Sequence, residues 1–408
     1  MNNYKNSVGY NRNAYFQFMR DVSKAIIPEI QKVIANSQIL TNGYLGKSIS
    51  TILEHRCSEH RPKLRPFIAA VCSGASNVTN LDTDIRRIGA AVELLNISTY
   101  YANLAFDSKG NSKNNATTFC LAAMLLRDAV FEYIAKRGLS SISTANVIAT
   151  LSKGYLDVTK GQALDIYQLS RFNGHVLPAP DDHLRLYIER CALLGGGSLM
   201  SVCLAGGLTG GVETELLVEM ARYGWWHGTA LQIINDISDF ARVSAAGKSV
   251  GKTVSDRYAD LKACKLTLPN YHLCKKICGE ICDFTKMKNF IFHELQSNEQ
   301  QKSLRIEIFT ESLLLAAEAD ALASKSIRSL PSGIKQILDA SLIVSEQNKF
   351  FKQLQCHVDK KVFDNAMRER MHNALLACSP DKVPYDDRFL GLDSLVEQSD
   401  STVNMEKS

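Results

Sequence analysis

The chain has 408 residues, of which 45% are apolar and 22% charged, and carries a formal net charge of +5. This composition excludes a wholly disordered chain, and the lack of a Lys/Arg run interleaved with aromatics gives no footprint for nucleic acid. Eleven cysteines at scattered positions, an odd count without metal-ligand spacing, read as reduced thiols packed as small apolar residues, which points to a cytoplasmic setting.

From the N-terminus, residues 1–20 carry Asn, Tyr and Lys around no apolar segment, so no secretory leader is expected. No window reaches the roughly 18 uninterrupted apolar residues of a spanning helix, so no transmembrane segment is expected either. Only nine prolines interrupt the chain, and apolar residues recur at three- and four-residue spacing over 16–34, 85–106, 119–134, 184–205, 216–241 and 304–323. That period is helical, and strand alternation with Asn-Gly or Asp-Gly turns is nearly absent. Punctuation residues cluster at 108–115, 173–182, 245–257 and 330–333. The expectation is an all-α protein with one large helical domain over 1–379 and a polar tail over 380–408.

Within this frame a few segments carry chemistry. Gly161-Gln162-Ala163-Leu164-Asp165 puts an amide and a carboxylate at i and i+3 of one helical face. Gln232, Asn235, Asp236 and Asp239 fall within two turns of the next polar stretch, and such grouped oxygens suit Mg²⁺, which takes one or two carboxylates and completes its shell with water and phosphate. Read alone, the same residues also make an exposed acidic helix end. Downstream, Gly247-Lys248 through Gly251-Lys252 and then Asp260 through Lys265 to Pro269 set a cationic loop beside the acidic patch. Metal plus lysine is a common grip for a leaving diphosphate, although the loop taken alone is equally a solvated connection. Gly195-Gly196-Gly197 and Gly206-Gly207 lack the strand and Lys-Ser/Thr of a phosphate loop and read as close helix packing. Trp225 and Trp226 read as core or dimer contacts, and His175, His183 and His227 have no ligand partner at suitable spacing.

Taken in this order, the pieces resemble the polyprenyl synthetase family, the trans-isoprenyl diphosphate synthases. Gln232 to Phe240 is similar to that family's second aspartate-rich motif, Q-x-x-D-D-x-x-D-[FY], with Asn235 at the first Asp; Gly161 to Asp165 matches G-Q-x-x-D; Cys264-Lys265-Leu266-Thr267-Leu268-Pro269 is similar to G-K-x-T-L-P. Upstream, Lys63 and Arg65 lie in a stretch resembling G-G-K-x-x-R-P. Glu93 to Asp107 lines up with the first metal motif, here reduced to Asn103-x-x-x-Asp107, and Asn96 stands at the isopentenyl-binding His. Residues 108–115 replace the arginine pair that comes next, and Arg190-Cys191 stands at the family's Lys-Thr.

The resemblance implies a single large helical bundle of the isoprenoid synthase type around a prenyl-diphosphate cavity, with Mg²⁺ as cofactor. It assigns Asn103, Asp107, Asn235, Asp236 and Asp239 to metal, and Asp107, Asp236, Asp239 and Lys265 to catalysis. Arg65, Lys63, Asn96, Gln162, Asp165, Arg190, Gln232 and Lys248 fall to substrate. Tyr100 and Tyr101 cap the prenyl tunnel or pack in the core. An allylic isoprenyl diphosphate is the expected ligand, and a homodimer or a heterodimer with a related synthase the expected assembly. Three functions stay open: a divergent transferase that ionises an allylic diphosphate, a non-catalytic subunit of a heteromeric synthase, and a terpene cyclase or lyase.

Overall fold

A computed structural model describes residues 12–37, 47–58, 61–106, 113–139, 144–239, 258–294, 298–342 and 365–380. Asp107, Lys248 and the tail beyond residue 380 lie outside the described residues. The helices are α1 (Arg12–Ala25), α2 (Ile27–Ser37), α3 (Lys47–Cys57), α4 (Leu64–Cys72), α5 (Thr83–Phe106), α6 (Lys113–Arg137), α7 (Thr144–Ala163), α8 (Pro180–Cys191), α9 (Ser198–Thr209), α10 (Thr214–Ser238), α11 (Ala259–Lys262), α12 (Leu268–Cys278), α13 (Phe284–Asn289), α14 (Asn298–Ser326), α15 (Ser332–Ser341) and α16 (Asn365–Ala377). Among the described residues there is no strand, and the one β-bridge joins Val176 to Ile281.

Periodicity marks the long helices α5, α6, α10 and α14, leaves α3, α4, α7, α11, α12, α13, α15 and α16 unmarked, and misses interruptions. The expected helix over 16–34 breaks at Ile26, because Pro28 has no N–H to continue the ladder and sits in the first turn of α2, where that loss is harmless. Two π-helical turns also intervene, Leu164–Gln168 after α7 and Ala192–Gly197 between α8 and α9. Each widens the helix locally and shifts the facing of the residues after it, a device frequent at functional sites.

α10 runs through the middle of the bundle, packed on α14, α9 and the Ala192–Gly197 turn. From Tyr223 to Ala230 every residue of it is buried, the pattern of a helix surrounded on all sides. The approach is close because glycines meet: a Cβ on Gly195 would lie 2.1 Å from the Gly228 carbonyl oxygen, and one on Gly228 would lie 2.2 Å from that of Gly195. α7 closes on the same wall, where a Cβ on Gly154 would fall 2.1 Å from Ser201 Oγ. The glycine runs are therefore helix-contact surfaces. Trp225 is fully buried and its Nε1–H donates to the Cys378 carbonyl at 3.1 Å, tying α16 to the core.

One continuous helical stretch, Pro180–Thr209, is long and apolar enough to cross a membrane, with mean hydropathy 1.7 in its most apolar window. In this fold 78% of that window is buried against other helices.

Candidate functional site

Four polar side chains from four separate elements meet inside the bundle. Asp165 lies in the π turn after α7, Arg190 in the last turn of α8, Asp236 in the last turn of α10, and Lys265 in the extended segment before α12. Arg190 joins the two acids: its Nε donates to Asp165 Oδ1 at 2.8 Å and one terminal nitrogen to Asp236 Oδ2 at 2.5 Å. Lys265 Nζ pairs with Asp165 Oδ2. Asp236 also accepts from Tyr187 OH at 2.9 Å and, on its other oxygen, from Gln232 Nε2 at 3.0 Å. All four charged residues are at most 6% exposed.

Asp239, fully buried, caps the end of α10, and its Oδ2 accepts the Asp260 backbone N–H at 3.0 Å. Two non-glycine residues in left-handed backbone, Tyr258 at φ 57° and Cys264 at φ 58°, bracket the short Asp260 turn. Position 264 is where the resembling motif has glycine, the residue that takes this conformation freely. The Lys265 segment is clamped on both sides. Leu266 N–H donates to the Leu169 carbonyl at 3.0 Å, the Leu266 carbonyl accepts from His183 Nε2 at 2.7 Å, and the Lys265 carbonyl accepts from Asn270 Nδ2 at 2.7 Å.

Charge balance decides what such a cluster will take. Among the described residues, four carboxylates, Asp165, Asp236, Asp239 and Asp260, lie near two cations, Arg190 and Lys265. Burial disfavours the guanidinium charge of Arg190, but Asp165 and Asp236 outweigh it and push its pKa up. Burial first, then Asp239 and Asp236, push the Asp260 carboxyl up to about 7. No group of three or more His, Cys, Asp or Glu is placed to cage a metal among the described residues. Asp236 and Asp239 are the carboxylates that could serve a hard divalent ion, which takes one or two of them and completes its shell with water and phosphate oxygens.

The expected metal patch is drawn together only in part. Gln232, Asp236 and Asp239 share one face of α10 and its cap, whereas Asn235, one 100° step from Asp236, is exposed. Asn103 is half-buried on α5, two turns beyond Asn96 on the same helical face.

α5, α7, α9 and the start of α4 line a small, partly open pocket of about 30 Å³. Val92, Leu95, Leu151, Val158 and Val202 supply apolar wall, and Arg65, Asn96, Thr99, Tyr155 and Ser198 the polar points. The two regions follow one helical wall: Val158 lines the pocket, Gln162 comes one turn later, and Asp165 lies about 10 Å along the axis. Gln162 is 6% exposed and its Nε2 has no hydrogen-bond partner among the described residues, which leaves an amide donor between pocket and cluster.

At the α4 end, Arg65 Nε donates to Ser198 Oγ at 3.3 Å. Buried Glu93 sits among Lys63, Arg65, Arg56 and Arg61; burial raises its pKa and these cations oppose the rise. Lys63, expected as a substrate contact, has its ammonium on the Ser58 and Arg61 carbonyls at 2.7 and 2.9 Å, where it closes the turn after α3. Tyr101 packs in the core, stacked on Phe119, while Tyr100 carries Arg56 over its ring at 3.4 Å.

Residues 111–305 match the polyprenyl synthetase family. Octaprenyl diphosphate synthase of Escherichia coli is 25% identical over 266 residues, which covers 63% of this chain and 72% of that protein. Geranylfarnesyl diphosphate synthase of Methanosarcina mazei is 25% identical over 207 residues, covering 48% and 63%. Among solved structures, geranylgeranyl pyrophosphate synthase from Lactobacillus brevis shares the fold with a TM-score of 0.56 at 17% identity, over 81% of this chain and 97% of that one. A polyprenyl synthase from Caulobacter crescentus, complexed with calcium and isoprenyl diphosphate, does so with a TM-score of 0.54 at 18% identity, over 78% and 95%.

The polyprenyl synthetase match covers just under half of the chain. The chain's fold is the all-helical isoprenoid synthase fold.

Gln162, Asp165, Arg190, Gln232, Asp236, Asp239 and Lys265 fall inside the matching segment, while Arg65, Asn96 and Asn103 precede it. Two members of the cluster carry no role in the motifs read from the sequence. Tyr187 is one, and its signal is faint: it precedes Arg190 by three residues and so shares its helical face. Asp260 is the other, and nothing in its spacing reveals that the turn before Lys265 folds it against Asp239.

Proposed function

We propose that this chain binds an allylic isoprenyl diphosphate with Mg²⁺ and ionises it, acting as a divergent trans-prenyltransferase. The observation that carries this reading is the buried Asp165–Arg190–Asp236–Lys265 cluster, which follows on the same α7 wall a small pocket lined partly by apolar residues. Such a site offers cations and a carboxylate-rich metal position to a pyrophosphoryl group, and a greasy wall to its chain. Asp236 and Asp239 would hold Mg²⁺, with Asp107, Asn103 and Asn235 contributing where they reach it; the ion supplies the charge that neutralises a departing diphosphate. Arg190 and Lys265 each exchange a carboxylate for phosphate oxygens, and Lys248 is assigned to the same anion. Gln162 and Gln232 orient the head group through their amides, while Arg65 and Asn96 bound the pocket. Water is excluded by the helical wall, because each of the four charged groups of the cluster is buried.

A second reading, a non-catalytic subunit that pairs with a related synthase, has one observation in its favour. Both cations of the cluster are already spent on protein carboxylates, and Asn103 and Asn235 are uncharged where the family motif has Asp. The cytoplasmic assignment rests on ten cysteines that are free among the described residues.

The deciding experiment incubates the purified chain with Mg²⁺ and allylic diphosphates of three chain lengths, with and without isopentenyl diphosphate. The expected result is Mg²⁺-dependent consumption of one of them, reduced at least about a hundredfold by Asp236→Ala. Elongated diphosphate identifies a transferase, whereas hydrocarbon or alcohol without isopentenyl diphosphate identifies a cyclase or lyase. Absence of turnover together with stimulation of a related synthase would establish the subunit.

A further inference from the structure

The turn after α12 meets the chain ahead of α8 in a short antiparallel ladder. Val176 and Ile281 stand opposite each other in it, bracketed by two hydrogen bonds, Leu177 N–H to the Glu280 carbonyl and Cys282 N–H to the His175 carbonyl, each at 2.8 Å. Gly174 at φ 79° and Gly279 at φ 77° turn the two segments into place, and Gly174 N–H adds a third bond to the Cys282 carbonyl at 2.7 Å. Directly opposed residues of an antiparallel pair send their side chains to the same face. That face is open, with Val176 69% exposed and Ile281 56%. The backbone thus holds two β-branched side chains side by side in water. Positive charge frames them. Lys275 and Lys276 close α12 before the turn, and Lys286 and Lys288 lie in α13 after it. Phe284 N–H, at the start of α13, donates to Asn173 Oδ1 at 3.2 Å, which joins α13 to the opposing segment and its exposed Arg171. Over 171–178 and 275–288 these five cations face two acids, Glu280 and Asp283. Asp283 caps α13 through Lys286 N–H at 2.9 Å, and Lys276 is also paired with Glu307 of α14. Just past α13, Phe292 is 45% exposed, edge-on to Tyr258.

We propose that this face docks on an anionic lipid bilayer, with Val176 and Ile281 entering the boundary between head groups and acyl chains and the surrounding lysines meeting lipid phosphates. A bilayer surface takes both parts at once, since small apolar side chains gain by leaving water at shallow depth while cations nearby are drawn to the negative head groups. A protein partner needs a broader packed face, and two side chains on a ridge do not supply one. The docked face stands beside the charged cluster: Lys288 Nζ donates to the Lys262 carbonyl at 3.2 Å, and the turn at Lys262 leads directly into Lys265. Docking of this kind does not require that the cluster ionise a diphosphate.

Co-sedimentation of the full chain with lipid vesicles tests this. The chain should pellet with vesicles of phosphatidylcholine containing about 30% phosphatidylglycerol, and at least about tenfold less with phosphatidylcholine alone. Raising NaCl from about 0.1 M to about 0.5 M should release it, because a shorter Debye length screens the lysines from the head groups. Both of these readings use the unaltered chain. Lys275→Glu with Lys286→Glu should weaken partitioning at least about tenfold, and Val176→Ser with Ile281→Ser at least about fivefold, with helical circular dichroism unchanged in each. No pelleting with either vesicle, equal pelleting with both, indifference to salt, or either double variant binding as the wild type does overturns the proposal.

Discussion

At the scale of single residues, Asp236 shows how a buried carboxylate is satisfied by hydrogen bonds. Its two oxygens accept from Arg190, Tyr187 and Gln232, so a charge at 1% exposure is hydrogen-bonded on both sides rather than left bare. His183 does a quieter task, holding the Leu266 carbonyl next to Lys265 while stacked on Tyr271. Burial lowers its pKa to about 4, so the folded ring is neutral where an unfolded one, with pKa about 6.5, has begun to charge. Its contribution to stability is therefore complete above about pH 6.5 and is lost as pH falls toward 4, by up to about 3 kcal/mol. Asp260 runs the other way over a similar window, because its raised pKa favours the fold at lower pH. Denaturation of the wild type and of His183→Gln between pH 4 and 7 separates the two, since Asp260 is common to both. The variant should lose less stability on acidification, and parallel curves would show that His183 titrates normally.

At the scale of elements, the cluster depends on how closely α8–α9 and α10 touch. Gly195 and Gly228 set that distance, since a methyl on either would stand about 2 Å from the other's carbonyl oxygen, and backbone cannot step aside as a side chain can. Gly228→Ala should destabilise the protein by about 3 kcal/mol in thermal or denaturant unfolding. Gly333→Ala, where nothing stands within 4 Å of the added Cβ, should change stability by less than about 1 kcal/mol. Equal effects at the two sites would refute the contact argument. The π turns belong to this scale as well. Counting by 3.6 from Leu184 carries a reader through 192–197 on a register that the fold does not keep, so the facing of Ser198 and Ser201 toward the pocket is invisible in the sequence.

At the scale of the whole molecule, α6 carries an exposed apolar stripe. Leu121, Met124 and Leu125 stand at i, i+3 and i+4 on α6, each about half exposed, with Phe106 at the end of α5 and Leu156 on α7 similarly open. Such a face suits burial against a second copy or a related synthase. Light scattering should return about twice the chain mass of 45.2 kDa, and Leu121→Glu with Leu125→Glu should return the single mass with helix content unchanged. A wild-type monomer that gains mass only on addition of a related synthase would make the assembly heteromeric, and a double variant that stays dimeric would exonerate this face.

The sequence by itself determined the helical class, the position of the longer helices α5, α6, α10 and α14 and the chemistry on offer, because the apolar period, the scarcity of proline and the motifs around Gln162, Arg190, Asp236 and Lys265 are local properties of the chain. It could not show that Lys63 would give its ammonium to the turn after α3, that Asn235 would face outward while Asp236 turned in, or that Asp260 and Tyr187 would join the acids. Those outcomes depend on which distant groups arrive within hydrogen-bonding distance. That is fixed by glycine-mediated helix contact and by the charge balance of a buried space, and neither exists until the helices have packed.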